Sequence, residues 1–470
     1  MAKFKIIFDD ANCINDLNET VRSFYPYAEL GDDGEDIKLS QVLDGEYLKS
    51  CVEIFGKTSI RRDKFQETDE ILAKRYKKRY LKLALYKALS DLLGVNLPWG
   101  SLTGIRPTKL AYDLQNQGVE PISTLVRDFY VTDNRAKLVS DIMTTQKGIY
   151  STDTNNVDLY INIPFCVSRC SYCSFVSALV DDKKKLLLPY AKALNSEIKS
   201  AFEIINKRGL NLRSIYCGGG TPTSFSKDLL SIVFDGITIP RVEFTVECGR
   251  PDTVSEEKFD YLASIGVNRV SINPQTFNQS VLDLIGRKHT VQEIYDAYSL
   301  ARKYPFRINM DLIADLPSDT TESFINSVSE CVRLAPDNLT VHALSIKRAS
   351  KMQEDSYDNR QNTSNNIVSA VDTARDIIYQ GGYKPYYLYR QKNTSGNLEN
   401  TGYTKNGAQC IYNIDVMEET TSVISCGAGG ISKRVFGESG RIERQNIVKN
   451  IEQYLVDVDQ IICKKEIFFG

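Results

Sequence analysis

The chain has 470 residues, 42% of them hydrophobic, and a formal net charge of −2. That length and apolar share can bury a large core across two or three domains, while the near-zero charge excludes a global electrostatic attraction to nucleic acid. No apolar run approaches the roughly 18 residues of a membrane span. The run from Met1 to Phe8 is too short for a secretory signal, so the 11 cysteines are expected in a reducing cytoplasm, as ligands or core filler.

Residues 1–98 read as a small α/β module. Lys3–Phe8 alternates like a strand and Leu48–Phe55 is a second candidate. A long helix is expected from Asp69 to Leu93, closed by Gly94. Its basic face, Lys74, Arg75, Lys77, Lys78, Arg79 and Lys82, is either solvated or a docking surface for an anionic partner or RNA. The run Pro98–Lys109, with the only tryptophan, Trp99, marks a structured turn, an interdomain hinge or a lid. It opens a helical connector over 99–150.

From 151 to 345, strands alternate with helical patterns, the signature of a parallel sheet. Strands are expected at Leu159–Ile163, Ser214–Cys217, Val242–Glu247, Val270–Asn273, Arg307–Ile313 and Asn338–Leu344. Helices are expected around Pro189–Lys207, Ser224–Phe234, Ser255–Ile265, Val291–Arg302 and Glu322–Leu334. The first strand stops at Pro164 and runs into Cys166-Val-Ser-Arg-Cys170-Ser-Tyr172-Cys173. Three thiols at this spacing suit an iron–sulfur cluster with one iron left open to another ligand. Core filler, a zinc site or disulfides are the plainer readings. Zinc sites usually need a second C-x2-C pair, which the chain lacks. Cys217, Cys248 and Cys331 lie within core patterns and read as packing residues.

Further motifs fall at strand ends, where parallel barrels bind ligands: Gly218-Gly219-Gly220-Thr221 after the second strand, Glu247 after the third, Asn273-Pro274-Gln275 and then Arg287 after the fourth, and Asp311 on the fifth.

The cysteine loop, followed by Phe175, resembles the signature of radical S-adenosylmethionine (SAM) enzymes. The order Glu247, Gln275, Arg287, Asp311 is similar to that of the oxygen-independent coproporphyrinogen III dehydrogenases, and the whole chain most resembles their HemZ-type branch. The resemblance implies an open partial (β/α)6 barrel flanked by the N-terminal α/β module and a C-terminal α+β region. It implies a [4Fe–4S] cluster on Cys166, Cys170 and Cys173. It further implies SAM held by Tyr160, Tyr172, Gly218, Gly219, Gly220, Thr221, Glu247, Gln275, Arg287 and Asp311. The implied reaction is oxidative decarboxylation of propionates on a tetrapyrrole substrate, with an external electron donor and acceptor. Phe175 departs from the dehydrogenases, which carry an additional cysteine there. A haem chaperone and an RNA-modifying radical SAM enzyme are the alternatives.

In the C-terminal region, 346–470, a loop is expected over Lys351–Asn366, a helix near Ile367–Gln380, a strand over Tyr383–Gln391 and a turn region over Asn397–Tyr403. Val423–Lys433 is glycine-rich, but Ser432 breaks the dinucleotide fingerprint. The tyrosines either form a wall for a tetrapyrrole, with Lys384, Arg390, Lys392, Lys433 and Arg434 for its propionates, or fill a small core. The stretch Cys410-Ile-Tyr412-Asn413 lacks the histidine that the chaperones present. The chain's two histidines, His289 and His342, both fall in the barrel.

Overall fold

The structure is a computed structural model that describes residues 2–25, 28–67, 69–103, 106–174, 177–345, 364–391, 394–437 and 440–470. Phe175, Lys392 and almost all of the expected Lys351–Asn366 loop lie outside them. The chain divides into two compact units: one runs to Ser140 and takes in the segment beginning at Arg390, and the other comprises Asp141–Tyr389 and the chain from Thr394 to Gly470.

In the first unit, β1 (Lys3–Ile7), β2 (Glu29–Leu30), β3 (Glu35–Asp44), β4 (Tyr47–Ile54) and β5 (Lys57–Lys64) form a sheet of order β2-β1-β3-β4-β5. Two helices, Ala11–Phe24 and Glu70–Leu93, bury Leu17, Val21, Leu81, Leu85 and Leu89 against it. Asp69 caps the second helix and Gly94, at φ 65°, closes it in the left-handed conformation, which costs a glycine nothing. The basic face of this helix is largely occupied. Lys78 pairs with Asp16, Lys74 with Glu70, Arg79 lies over the Tyr76 and Phe129 rings, and Lys82 Nζ donates to Thr103 Oγ1 at 2.7 Å. Trp99 is fully buried beneath the Arg390 guanidinium, 5.5 Å from its ring centre.

The second unit is built on β6 (Asn156–Ile163), β9 (Asn211–Gly219), β10 (Glu243–Glu247), β11 (Arg269–Ser271), β12 (Arg307–Ala314) and β13 (Asn338–Ala343), with the short pair β7 (Phe165–Cys166) and β8 (Ala178–Leu179). All neighbours in the series β6-β9-β10-β11-β12-β13 pair in parallel, the parallel sheet that the pattern predicts and the partial barrel that the resemblance implies. Helices alternate with the strands. Their starts follow local capping chemistry: Ser255 caps Glu256–Ser264, a Thr290/Glu293 capping box opens Val291–Ala301, and Thr320 caps Thr321–Leu334.

Along each strand, alternate side chains face opposite ways. The outward set, among them Leu159, Ile161, Ile215, Phe244, Val246, Val270, Met310 and Leu339, is buried in the main apolar core. The inward set is polar almost throughout: Asp158, Tyr160 and Asn162 on β6; Ser214 and Tyr216 on β9; Glu243, Thr245 and Glu247 on β10; Arg269 and Ser271 on β11; Asn309 and Asp311 on β12; Asn338, Thr340 and His342 on β13. Parallel barrels are ordinarily filled by branched apolar layers. This one has an interior suited to a polar ligand.

The C-terminal region completes the sheet on both sides. Next to β13 lie β15 (Glu399–Thr404), antiparallel to it, and then β14 (Lys384–Arg390). The expected turn at Asn397–Tyr403 is therefore mostly a strand, because Gly402 lets the Tyr387 ring lie across it: a β-carbon there would stand 1.9 Å from that ring. Next to β6 lie β16 (Ser422–Cys426), parallel to it, followed by β17 (Ile431–Phe436) and β18 (Arg441–Asn446). The glycine-rich stretch is the β16–β17 connection. Gly427 sits at φ 98° with its missing β-carbon 2.3 Å from the Asn162 carbonyl oxygen. Behind it, Lys465 pairs with Glu197, both fully buried, and Tyr454 Oη donates to the same carboxylate at 2.6 Å.

Candidate active site

The C-terminal ends of β6 to β13 converge on one rim. Cys166 ends β7, and Cys170 and Cys173 follow in the loop. All three thiols are half-buried and free of disulfides. The loop is pinned to the segment after β11, with Ser171 N donating to Ile285 O at 3.0 Å. Gly286, at φ 76°, passes so close that a β-carbon would stand 3.3 Å from Arg169 O. Tyr172 packs on the core, where burial pushes its phenol pKa up. Among the described residues no group of three or more His, Cys, Asp or Glu side chains is set to hold one metal ion. A four-iron cluster asks something else, one thiolate at each of separate irons. Cys217, Cys248 and Cys331 are fully buried in the core, as packing residues.

The glycine run has an intramolecular reason. A β-carbon on Gly219, at φ 109°, would lie 2.0 Å from Asn162 Oδ1; one on Gly220 would lie 2.4 Å from Phe165 O; one on Gly218 would lie 2.9 Å from Glu247 Oε2. The run thus lets β9 close onto the strand that carries the cysteines, with Thr221 N donating to Phe165 O at 2.7 Å. Thr221 Oγ1 then sits 3.5 Å from Cys166 Sγ.

Glu247 and Asp311 face the same interior in opposite electrostatic conditions. Burial pushes the Glu247 carboxyl up to about 7, against the opposing hydrogen bond from Tyr216 Oη, 2.6 Å away. Burial also disfavours ionised Asp311, but His342, with Nε2 3.7 Å from Oδ2, and Asn309, donating at 2.7 Å, hold its pKa below the usual carboxylate value. Tyr389 Oη lies 3.4 Å from His342 Nδ1.

Arg287 is buried and spans two strand ends, donating to Asn273 O at 2.9 Å and to Gly249 O. Gln275 adopts φ 68° and bridges to Leu312. Three buried polar atoms on this side have no protein partner: Asn273 Oδ1, Gln275 Oε1 and Arg287 Nε. Such atoms cost free energy unless something pairs with them. The three thiols, the unpartnered amide and guanidinium atoms and the two acids fit an iron–sulfur cluster with a zwitterionic, hydroxyl-bearing ligand.

Several groups at this site carry no motif. Tyr160, Tyr216 and Tyr412 stack with centroids 4.3 to 6.2 Å apart. Tyr412 arrives from the helix Ile411–Glu418 of the C-terminal region. In the sequence His342 stands out only as one of two histidines in the barrel, and Tyr389 only as one tyrosine of the Tyr383–Gln391 strand. The basic residues assigned to propionates are mostly engaged elsewhere. Arg390 donates to Leu102 O in the first unit, Arg434 donates to Phe468 O at 2.8 Å, and Lys433 is buried on β17. Tyr383, Tyr386 and Tyr387 are buried as core, so the plainer of the two readings describes them.

Residues 160–331 match the profile of the radical SAM superfamily. Coproporphyrinogen III oxidase (HemN) from Escherichia coli, described as a radical SAM enzyme, shares the fold with a TM-score of 0.52 over 70% of this chain and 73% of that one, at 22% identity. The fold and the thiol loop therefore define a radical SAM protein, whose cofactors are a [4Fe–4S] cluster and SAM. The oxygen-independent coproporphyrinogen-III oxidase-like protein HemZ of Bacillus subtilis is 34% identical over 91% of this chain and 89% of its own length. The Heme chaperone HemW of Haemophilus influenzae is 28% identical over 64% of this chain and 76% of its own length. The chain belongs to the HemZ-type branch of the oxygen-independent coproporphyrinogen III dehydrogenase family. Among the described residues no helix is long and apolar enough to cross a membrane.

Proposed function

We propose that this protein is an oxygen-independent coproporphyrinogen III dehydrogenase that converts propionates of a porphyrinogen to vinyls. The observation that carries the reading is the 34% identity, over 91% of the chain, to a protein named as oxygen-independent coproporphyrinogen-III oxidase-like. Cys166, Cys170 and Cys173 hold the cluster. Glu247 takes the ammonium of SAM, Arg287 and Gln275 its carboxylate, and Asp311 its ribose hydroxyls. Tyr160, Tyr172 and the Gly218–Thr221 turn line the cofactor. With an electron from an external donor, cluster and SAM together supply a 5′-deoxyadenosyl radical.

The chain's own groups bind and aim. Tyr216 orients Glu247, which gives up its proton as a cation arrives. His342 and Asn309 keep Asp311 ionised as an acceptor, and the stacked Tyr160, Tyr216 and Tyr412 offer flat faces to the interior. At the substrate, a hydrogen atom leaves the propionate β-carbon. CO2 then departs from the carboxylate, the vinyl double bond forms, and one electron passes to an external acceptor.

The relatives named heme chaperones support a second reading. Haem iron is commonly held by histidine, yet His289 is fully buried and His342 stands between Asp311 and Tyr389. Anaerobic incubation of reconstituted protein with SAM, reductant and coproporphyrinogen III deuterated at the propionate β-carbon tests the proposal. Deuterium should appear in 5′-deoxyadenosine in step with propionate loss. Unlabelled deoxyadenosine under conditions of SAM turnover would overturn it in favour of the chaperone or of another radical SAM reaction.

A further inference from the structure

Just beyond the end of β10, the segment Gly249-Arg250-Pro251 turns over the cysteine loop. Arg250 is only 3% exposed. Its Nε and Nη2 take Asp252 Oδ1 and Oδ2 at 3.0 and 2.9 Å, a bidentate pairing that uses one edge of the planar guanidinium. The remaining nitrogen, Nη1, points at the loop, 2.6 Å from Ser168 Oγ and 4.0 Å from Cys170 Sγ. The backbone behind it is fixed, because Thr253 donates to the Arg250 carbonyl through N at 3.0 Å and Oγ1 at 2.7 Å. None of this belongs to the SAM contacts proposed above.

We propose that Arg250 is a positioning residue for the iron–sulfur cluster, fixing the cysteine loop through Ser168 and donating to the Cys170 sulfur so as to raise the cluster's reduction potential. The inference rests on the reading that Cys170 is a cluster thiolate. Hydrogen bonds to cluster sulfurs and local charge are what set such potentials. A cationic donor stabilises the more negative, reduced state more than the oxidised one. Asp252 holds the donor in place, as groups behind a ligand commonly do.

The test is a redox titration, followed by electron paramagnetic resonance, of the full-length reconstituted protein. Arg250→Gln should retain iron but titrate at a more negative potential than wild type, with SAM cleavage about tenfold slower at a fixed reductant potential. Arg250→Lys should fall between them. Ser168→Ala, which removes the loop tether and leaves the sulfur contact, should titrate as wild type. A fully loaded Arg250→Gln with wild-type potential overturns the proposal, as does a Ser168→Ala shift equal to that of Arg250→Gln. Where Arg250→Gln does not load, electron–nuclear double resonance on wild type labelled with 15N-arginine decides. A guanidinium coupling to the reduced cluster supports the contact, and its absence overturns it. Cys170→Ala that keeps wild-type iron would instead defeat the underlying ligand assignment.

Discussion

The two ends of the barrel interior are lined by the same strands and by the same kinds of residue, yet they behave differently. At the N-terminal ends, charges are enclosed and each has a protein partner, although Arg269 Nε, Asp158 Oδ2 and Asn338 Nδ2 are left without one. Arg269, 2% exposed, donates to Asn338, to Glu243 at 3.3 Å and to the Ala408 and Gln409 carbonyls at 2.9 and 3.0 Å. Asp415 pairs with Arg213 at 2.6 Å, and Asp158 accepts from Ser214 at 2.6 Å. At the C-terminal ends, Glu247, Asp311 and His342 are only half-buried, and Asn273, Gln275 and Arg287 keep atoms without partners. Polarity inside a barrel does not by itself mark a site. What marks the C-terminal end is that its half-buried acids and unpartnered atoms share a rim with the three thiols.

The comparison breaks most sharply at the thiols. Cys166→Ala, Cys170→Ala and Cys173→Ala should each abolish the brown chromophore and SAM cleavage, while Cys217→Ala keeps both; iron and sulfide analysis with a SAM-cleavage assay checks this.

The next largest effect belongs to the closed end. Arg269→Met removes the donor to Asn338 Oδ1 and the cationic partner of Glu243, which keeps only Cys410 Sγ and Tyr412 N as donors, at 3.2 Å each, and should cost about 3–5 kcal/mol of stability, read by chemical denaturation. At the open end, Asp311→Ala should leave stability and iron content near wild type but weaken SAM binding by on the order of 1.5–3 kcal/mol, the range for a hydrogen bond to a charged group, measured by equilibrium dialysis. Arg287→Ala tests a residue that shares both characters, since it ties Gly249 to Asn273 while keeping Nε unpartnered. It should lose SAM affinity and stability together.

The last expected effect concerns pH. The Glu247 carboxyl is pushed up to about 7 from its ordinary 4.5, so above 4.5 the unfolded chain releases a proton that the folded protein retains. The stability associated with that proton is present below 4.5 and is lost as pH rises through about 7. Glu247→Gln removes this dependence. Its denaturation midpoint should gain on that of wild type between pH 5 and pH 7.5, and parallel profiles would show that Glu247 is not the group responsible.

Much of the barrel was legible because its determinants are local. The alternation of strand and helix patterns from β6 to β13 and the spacing of Cys166, Cys170 and Cys173 are each written in stretches of neighbouring residues. The glycine run was legible as a motif at a strand end, but what packs against it, Asn162 and Phe165, was not. The Asn397–Tyr403 segment misled because turn residues dominate its composition, whereas packing of Tyr387 against Gly402 makes most of it a strand.

The sequence by itself determined the thiol spacing, the order of acids and amides at strand ends, and the period-two pattern that separates outward apolar from inward polar positions. All of these depend on backbone geometry over a turn or a strand. Only the tertiary structure decided that Tyr412 stacks on Tyr160 and Tyr216, that β16 extends the sheet beside β6, that Arg390 serves the first unit, and that Arg250 reaches Cys170 across 80 positions of chain. These contacts join residues far apart in sequence, and no local periodicity encodes them: they follow from which surfaces the folded sheet brings within bonding distance.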